Sequence, residues 1–188
     1  MNTLLEWLNR LSSRHAVLGF WIVGGLLFQT AVFPHLAVFG LKPDVLMVVV
    51  VCWALLYGPA EGFVAGLAAG LVQDLTFGQY IGLFALAKTL VGFGVGVVAG
   101  KIFRETIWVP TAAVGVAVFA HEFVVWVCLR ALHVPAPAVN IITVGLPVAV
   151  YSTLLAPLVY RQIFVHYIGE RAKEKDLTGG ASQAAGRR

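Results

Sequence analysis

Asp74, Lys88 and Glu122 are charged side chains set inside long apolar runs, with His121 beside the last of them and Glu61 at a helix start. Acid–base or nucleophilic chemistry needs a nucleophile, a base and an orienting group within reach of one another, and metal chemistry needs closely spaced ligands. The spacing offers neither. His121 and Glu122 are adjacent, so on a helix they point in different directions, and His15, His35, His133 and His166 stand singly at segment ends or in loops. HExxH, CxxC, a phosphate loop and a serine elbow are missing from the sequence. Cys52 and Cys128 fall within apolar runs and form neither a disulfide framework nor a metal spacing. The expectation is a protein without catalytic residues, metal or cofactor, in which His121 is a polar packing residue.

Charges in apolar surroundings then need partners. Lys88 lies eight residues from Tyr80 and Glu122 eight residues from Arg130, each about 12 Å below the same surface at 1.5 Å per residue. The matched depth predicts a structural Lys88–Glu122 pair, with His121 beside it and Asp74 above it near the outer boundary. Snorkelling to water, or a proton or solute path, is the alternative use of the same charges. Glu61, in the first turn after Pro59, complements the helix dipole there.

The elements that hold these residues are membrane helices. Of 188 residues, 60% are hydrophobic and 12% charged, and the apolar segments are long and continuous rather than alternating. The fold class expected is all-α: a polytopic membrane protein of six helices at about 16–33, 45–57, 60–74, 81–100, 107–129 and 139–164. Residues 1–14 form a short amphipathic interfacial helix with Leu4, Trp7, Leu8 and Leu11 on one face, and 169–188 a disordered basic tail. Pro43 and Asp44 open the second span, Asp44 as its N-cap, and Pro147 and Pro157 are expected to bend the sixth. No cleavable leader is expected, since the first apolar run lacks a small-x-small site.

Spans two and three are short, about 20 and 22 Å against a core of about 30 Å, and a single helix kinked at Gly58-Pro59 is the competing reading. Charge parity separates them. Six spans gather Arg10, Arg14, Lys101, Arg104, Arg161, Arg171, Lys173, Lys175, Arg187 and Arg188 on one side and leave Lys42 and Arg130 on the other. Merging the two spans would put the basic N- and C-termini on opposite sides, so both ends are placed in the cytoplasm. The charge of +4 is thus a topology signal and does not point to nucleic acid.

Glycines give the packing signal. Gly62, Gly66 and Gly70 recur every fourth residue up to Asp74, and Gly92, Gly96 and Gly100 every fourth residue from Lys88. Each set is one helical stripe that admits a close neighbouring backbone. The simplest expectation is that spans three and four pack on each other; the sharper one is that a stripe faces a partner's helix.

The series Pro43-Asp44, Gly58-Pro59-Ala60-Glu61-Gly62, Gly66, Gly70-Leu71-Val72-Gln73-Asp74-Leu75, Gly78, Gly82-Leu83 and Ala85-Leu86-Ala87 resembles the rod shape-determining MreD family. Lys88 departs from it, standing where the family leads one to expect an apolar or aromatic residue. The resemblance implies a non-enzymatic scaffold of the bacterial inner membrane that binds and orients MreC. Through MreC it would connect MreB filaments with RodA and its penicillin-binding transpeptidase, the glycine stripes being candidates for the MreC contact. The family is also similar in fold to the substrate-binding subunits of energy-coupling-factor vitamin transporters. That likeness implies the alternative, a small-solute binding subunit whose outer pocket would be lined by Asp74, Lys88 and Glu122.

Overall fold

A helix that is apolar on every face has to be buried on every face, and VLMVVVVCWALLY is such a sequence. It forms α2 (Val45–Tyr57), and every residue from Val45 to Leu56 is buried. The valine run has modest intrinsic helix propensity, but in apolar surroundings the backbone must satisfy its own hydrogen bonds, and only a helix does that within one segment. The computed structural model describes residues 2–32, 41–77, 80–99, 108–134 and 141–185, with side chains from 14 to 172 among these.

Five helices surround α2: α1 (Asn2–Ala31), α3 (Pro59–Phe77), α4 (Leu83–Ala99), α5 (Trp108–Ala131) and α6 (Leu146–Ala185), the last entered through a π-helical turn at Ile141–Gly145. All five touch α2. Around it they follow the order α1, α3, α4, α5, α6, each against the next, and among the described residues α6 returns to α1 through the Arg14–Glu170 pair without close backbone packing. Shielded by its neighbours, α2 has no need to meet the surroundings over its own short length. Large apolar side chains such as Phe63, Leu67 and Leu71 on α3 and Leu90, Phe93 and Val97 on α4 are exposed on the outward faces. Among the described residues two helical stretches are long and apolar enough alone to cross a membrane, Trp108–Ala131 and Ile141–Ala172.

The α2–α3 break is a reversal. Gly58 takes φ +94°, a left-handed conformation open to glycine, while its N–H donates to the Ala54 carbonyl at 2.9 Å. The single kinked helix is therefore excluded.

α3 and α4 then pack backbone to backbone along the two stripes. A Cβ added to Gly66 would stand 2.7 Å from Thr89 Cα, one on Gly70 2.6 Å from the Ala85 nitrogen, and one on Gly96 2.6 Å from the Pro59 nitrogen. Gly62 and Gly92 oppose each other in the same way, and each also abuts α2 through Ala54 and Val50. Such contact supplies dispersion where lipid offers no hydrophobic driving force. The stripes are filled by each other and by α2, so they are closed to a partner's helix. Gly100 lies outside the described residues, as do His35, Lys101 and Arg104.

The backbone of residues 2–14 runs on into α1, and that of α6 is helical to Ala185. Once a helix is nucleated, propagation adds a bond per residue fixed, and the Ala, Glu, Lys and Arg of ERAKEKDL are strong helix formers. The amphipathic face expected over residues 2–14 falls almost entirely on side chains outside the described set. Pro157 sits inside α6, and Pro147 follows the π-helical turn in the first turn of α6, where its missing N–H is least costly.

Candidate functional site

The polar residues of this bundle gather in three places. The first is built on Asp44. Its Oδ1 accepts the Met47 N–H at 2.9 Å, the expected N-cap of α2, and its own N–H donates to Ser152 Oγ of α6 at 3.0 Å. Its Oδ2 accepts from Lys88 Nζ of α4, with His121 Nδ1 of α5 4.0 Å away. One residue thus ties four helices together, α2, α4 and α5 through its carboxylate and α6 through its backbone N–H. Lys88 is completely enclosed and His121 is 1% exposed, its ring stacked on Phe84 with 6.0 Å between centroids.

The Lys88–Glu122 pair predicted from depth does not form: Lys88 pairs with Asp44. Depth fixes one coordinate, and the angle around the helix fixes the partner. Successive residues on α5 are about 100° apart, so while His121 faces inward Glu122 turns to the π-helical turn. There an added Cβ on Gly145 would lie 3.3 Å from Glu122 Cβ. Glu122 Oε1 nonetheless reaches His121 Nδ1 at 3.5 Å, so His121 lies beside Glu122 although the two leave the helix in different directions. Asp44 was legible as a cap. Its second role could have been found from the fact that α2 and α4 both begin at the same end of the bundle.

The second place is Asp74, the last residue of the α3 stripe. It is 2% exposed. Its Oδ2 accepts the N–H groups of Gly82 at 2.9 Å and Ala85 at 3.0 Å, and its Oδ1 accepts that of Phe84 at 3.0 Å. These are N–H groups at the start of α4 that no turn of the helix can satisfy. Asp74 therefore caps a helix other than its own, and Gly82 supplies the left-handed φ of +97° at which the chain enters α4. Sequence reading missed this, because the cap lies eight residues upstream rather than at the N-cap position.

The third place is at the opposite end. Glu61 Oε2 accepts the Trp53 Nε1–H at 3.3 Å, with Arg14 Nη1 3.7 Å from Oε1 and His15 Nε2 3.8 Å from Oε2. The Tyr57 hydroxyl donates to Glu170 at 2.9 Å, and Arg14 Nε lies 3.5 Å from the same carboxylate. The Arg14 guanidinium also sits 4.7 Å from the centre of the Tyr57 ring. Glu61 is thus more than a helix start: it joins α3 to α1 and α2. Only its first-turn position was apparent from sequence.

Among the described residues these centres are held by structural partners, and only Asp74 of the second one borders an open space. Lys88 and His121 are enclosed, Asp44 and Asp74 are occupied by donors, and among the described residues no group of His, Cys, Asp and Glu is arranged to hold a metal ion. Nor do Asp74, Lys88 and Glu122 converge on one pocket. A cavity of about 480 Å³ lies where α1, α3 and α5 end and α4 begins, and of those three only Asp74 lines it.

The profile of the rod shape-determining protein MreD family matches residues 12–168. The chain belongs to the MreD family. The match runs from the first half of α1 well into α6, so it takes in the first two polar centres and all of the third except Glu170. No curated protein and no solved structure matches the chain. Family membership makes the chain a non-catalytic membrane scaffold with a multi-pass, inner-membrane location. The exposed apolar faces of α3 and α4 suit that surrounding.

Proposed function

We propose that this chain is the scaffold of the cell-elongation complex that holds the single membrane span of MreC and sets its orientation. Periplasmic peptidoglycan synthesis by RodA and its penicillin-binding transpeptidase would thereby follow cytoplasmic MreB filaments. The observation that carries the reading is the family match across residues 12–168. The architecture supports it: six helices alternate in direction and are cross-tied at both ends, which makes a rigid platform rather than a gated path. The first described residues of α1 and the last of α6 lie at the end that carries Arg14, Glu61 and Glu170, and the excess of basic residues in the terminal segments of the sequence supports a cytoplasmic position for that end.

The same architecture directs attention to where MreC docks. With the glycine stripes of α3 and α4 filled, a partner helix needs an outward face. Among the described residues the ring around α2 opens between α1 and α6, where Arg14 and Glu170 form a bridge at one end. Gly19 and Gly24 on α1 have no other atom where a side chain would stand, and Phe20, Leu27, Leu158 and Val165 on α1 and α6 are exposed. Small residues with open space beside them permit close helix approach, so the α1–α6 seam is assigned to the MreC span.

Site-directed crosslinking of the complex in membranes tests this. Cysteine at Gly24 or Leu27 on α1, and at Leu158 or Val165 on α6, should crosslink to the MreC span, whereas cysteine at Phe93 on α4, across the ring, should not. Crosslinks confined to α4 would refute the seam, and failure of the chain to co-purify with MreC at all would refute the scaffold role.

A further inference from the structure

Gln29 of α1 and Gln73 of α3 are amide side chains in apolar helices, 8% and 6% exposed. The side-chain carbonyl oxygen of each has no hydrogen-bond partner. A buried amide oxygen left unpaired is destabilising, so two of them beside one cavity call for a donor that the described residues do not supply. Both line the cavity of about 480 Å³ at the end of the bundle away from the termini, and Asp74 lines it with them.

Charge and geometry narrow the class of ligand. An anion would seek the N-terminus of α4, but the N–H groups of Gly82, Phe84 and Ala85 are already taken by Asp74. Among the described residues no basic side chain pairs with that carboxylate. Among the described residues Asp74 Oδ1 accepts one bond and keeps acceptor capacity. The remaining walls include the rings of Phe77, Tyr80 and Phe84, whose faces attract a cation. Acceptors, a carboxylate and aromatic walls around one space favour a cation that carries N–H donors.

We infer that this cavity binds a primary ammonium group, hydrogen-bonded by Gln29 and Gln73 and charge-balanced by Asp74, a site independent of the scaffold role. The ammonium can come from the head of phosphatidylethanolamine in the adjoining leaflet or from a soluble amine. A quaternary ammonium has the charge but no N–H to give the amide oxygens, so it is discriminated against.

The test uses the full chain. In nanodiscs of mixed composition, native mass spectrometry should show phosphatidylethanolamine retained about tenfold or more over phosphatidylcholine, the scale of a hydrogen bond to a charged group. In lipid-free detergent micelles, ethanolamine should raise the melting temperature where choline does not. A lipid preference without an ethanolamine shift assigns the site to the headgroup, and the reverse assigns it to a soluble amine. The double variant Gln29→Leu/Gln73→Leu should lose the preference while melting no lower than the parent, because it removes two unpaired polar groups. Equal retention of the two lipids together with no ethanolamine shift overturns the proposal, as does an unchanged preference in the double variant. The parent-protein comparisons decide the matter even if the variant does not fold.

Discussion

The pairing of Lys88 with Asp44 makes a prediction that separates it from any other arrangement of the same charges. Lys88→Met keeps the length and removes the charge, and Asp44→Asn keeps the capping oxygen for the Met47 N–H, since Asn caps helices as well as Asp. Each single change therefore leaves one enclosed charge without its counter-charge. Breaking a buried pair in this way costs about 3–5 kcal/mol, because Lys88 is fully buried and Asp44 has only 6% exposure through which water could compensate. For a chain of this size that is a fall of about 6–20 °C in melting temperature. The double variant restores neutrality and should recover most of the loss, giving a coupling of several kcal/mol where independent sites would add to within about 0.5 kcal/mol. The assay is thermal unfolding of the four proteins in one detergent, followed by tryptophan emission. A parallel cycle of Lys88→Met with Glu122→Gln should show the weaker coupling. Additivity in the Asp44 cycle, or stronger coupling of Lys88 to Glu122, would refute the assignment.

Two further outcomes follow from the packing and the cap. Gly66→Ala places a Cβ against the backbone of Thr89 and should cost about 1–3 kcal/mol or more by overpacking. Gly94→Ala, with nothing within 4 Å, should be neutral or slightly stabilising, and equal melting temperatures for the two variants would contradict the α3–α4 interface. Asp74→Ala frees three N–H groups at the start of α4 and should destabilise the protein by about 2 kcal/mol or more. Hydrogen exchange at Gly82, Phe84 and Ala85 should accelerate in that variant ahead of exchange in the middle of α4, and unchanged exchange there would remove Asp74 from its capping role.

What the sequence determined by itself was whatever hydropathy, periodicity and charge parity carry along one dimension. The all-α class, the bounds of α2 and the reversal at Gly58-Pro59 are all in the order of residues, because backbone satisfaction in apolar surroundings leaves a helix as the local solution and a proline after glycine ends it. Gly62, Gly66, Gly70, Gly92 and Gly96 announced two smooth faces, and their family resemblance lay in the same stretch. Tertiary structure alone decided what those features meet. Lys88 found Asp44 and not Glu122, and Asp74 capped α4 from across a turn. The stripes closed on each other, and Gln29 and Gln73, unremarked among apolar neighbours, came to line one cavity. Each of these depends on the rotation of one helix about its axis against another, which the packing of whole faces sets and no single segment contains.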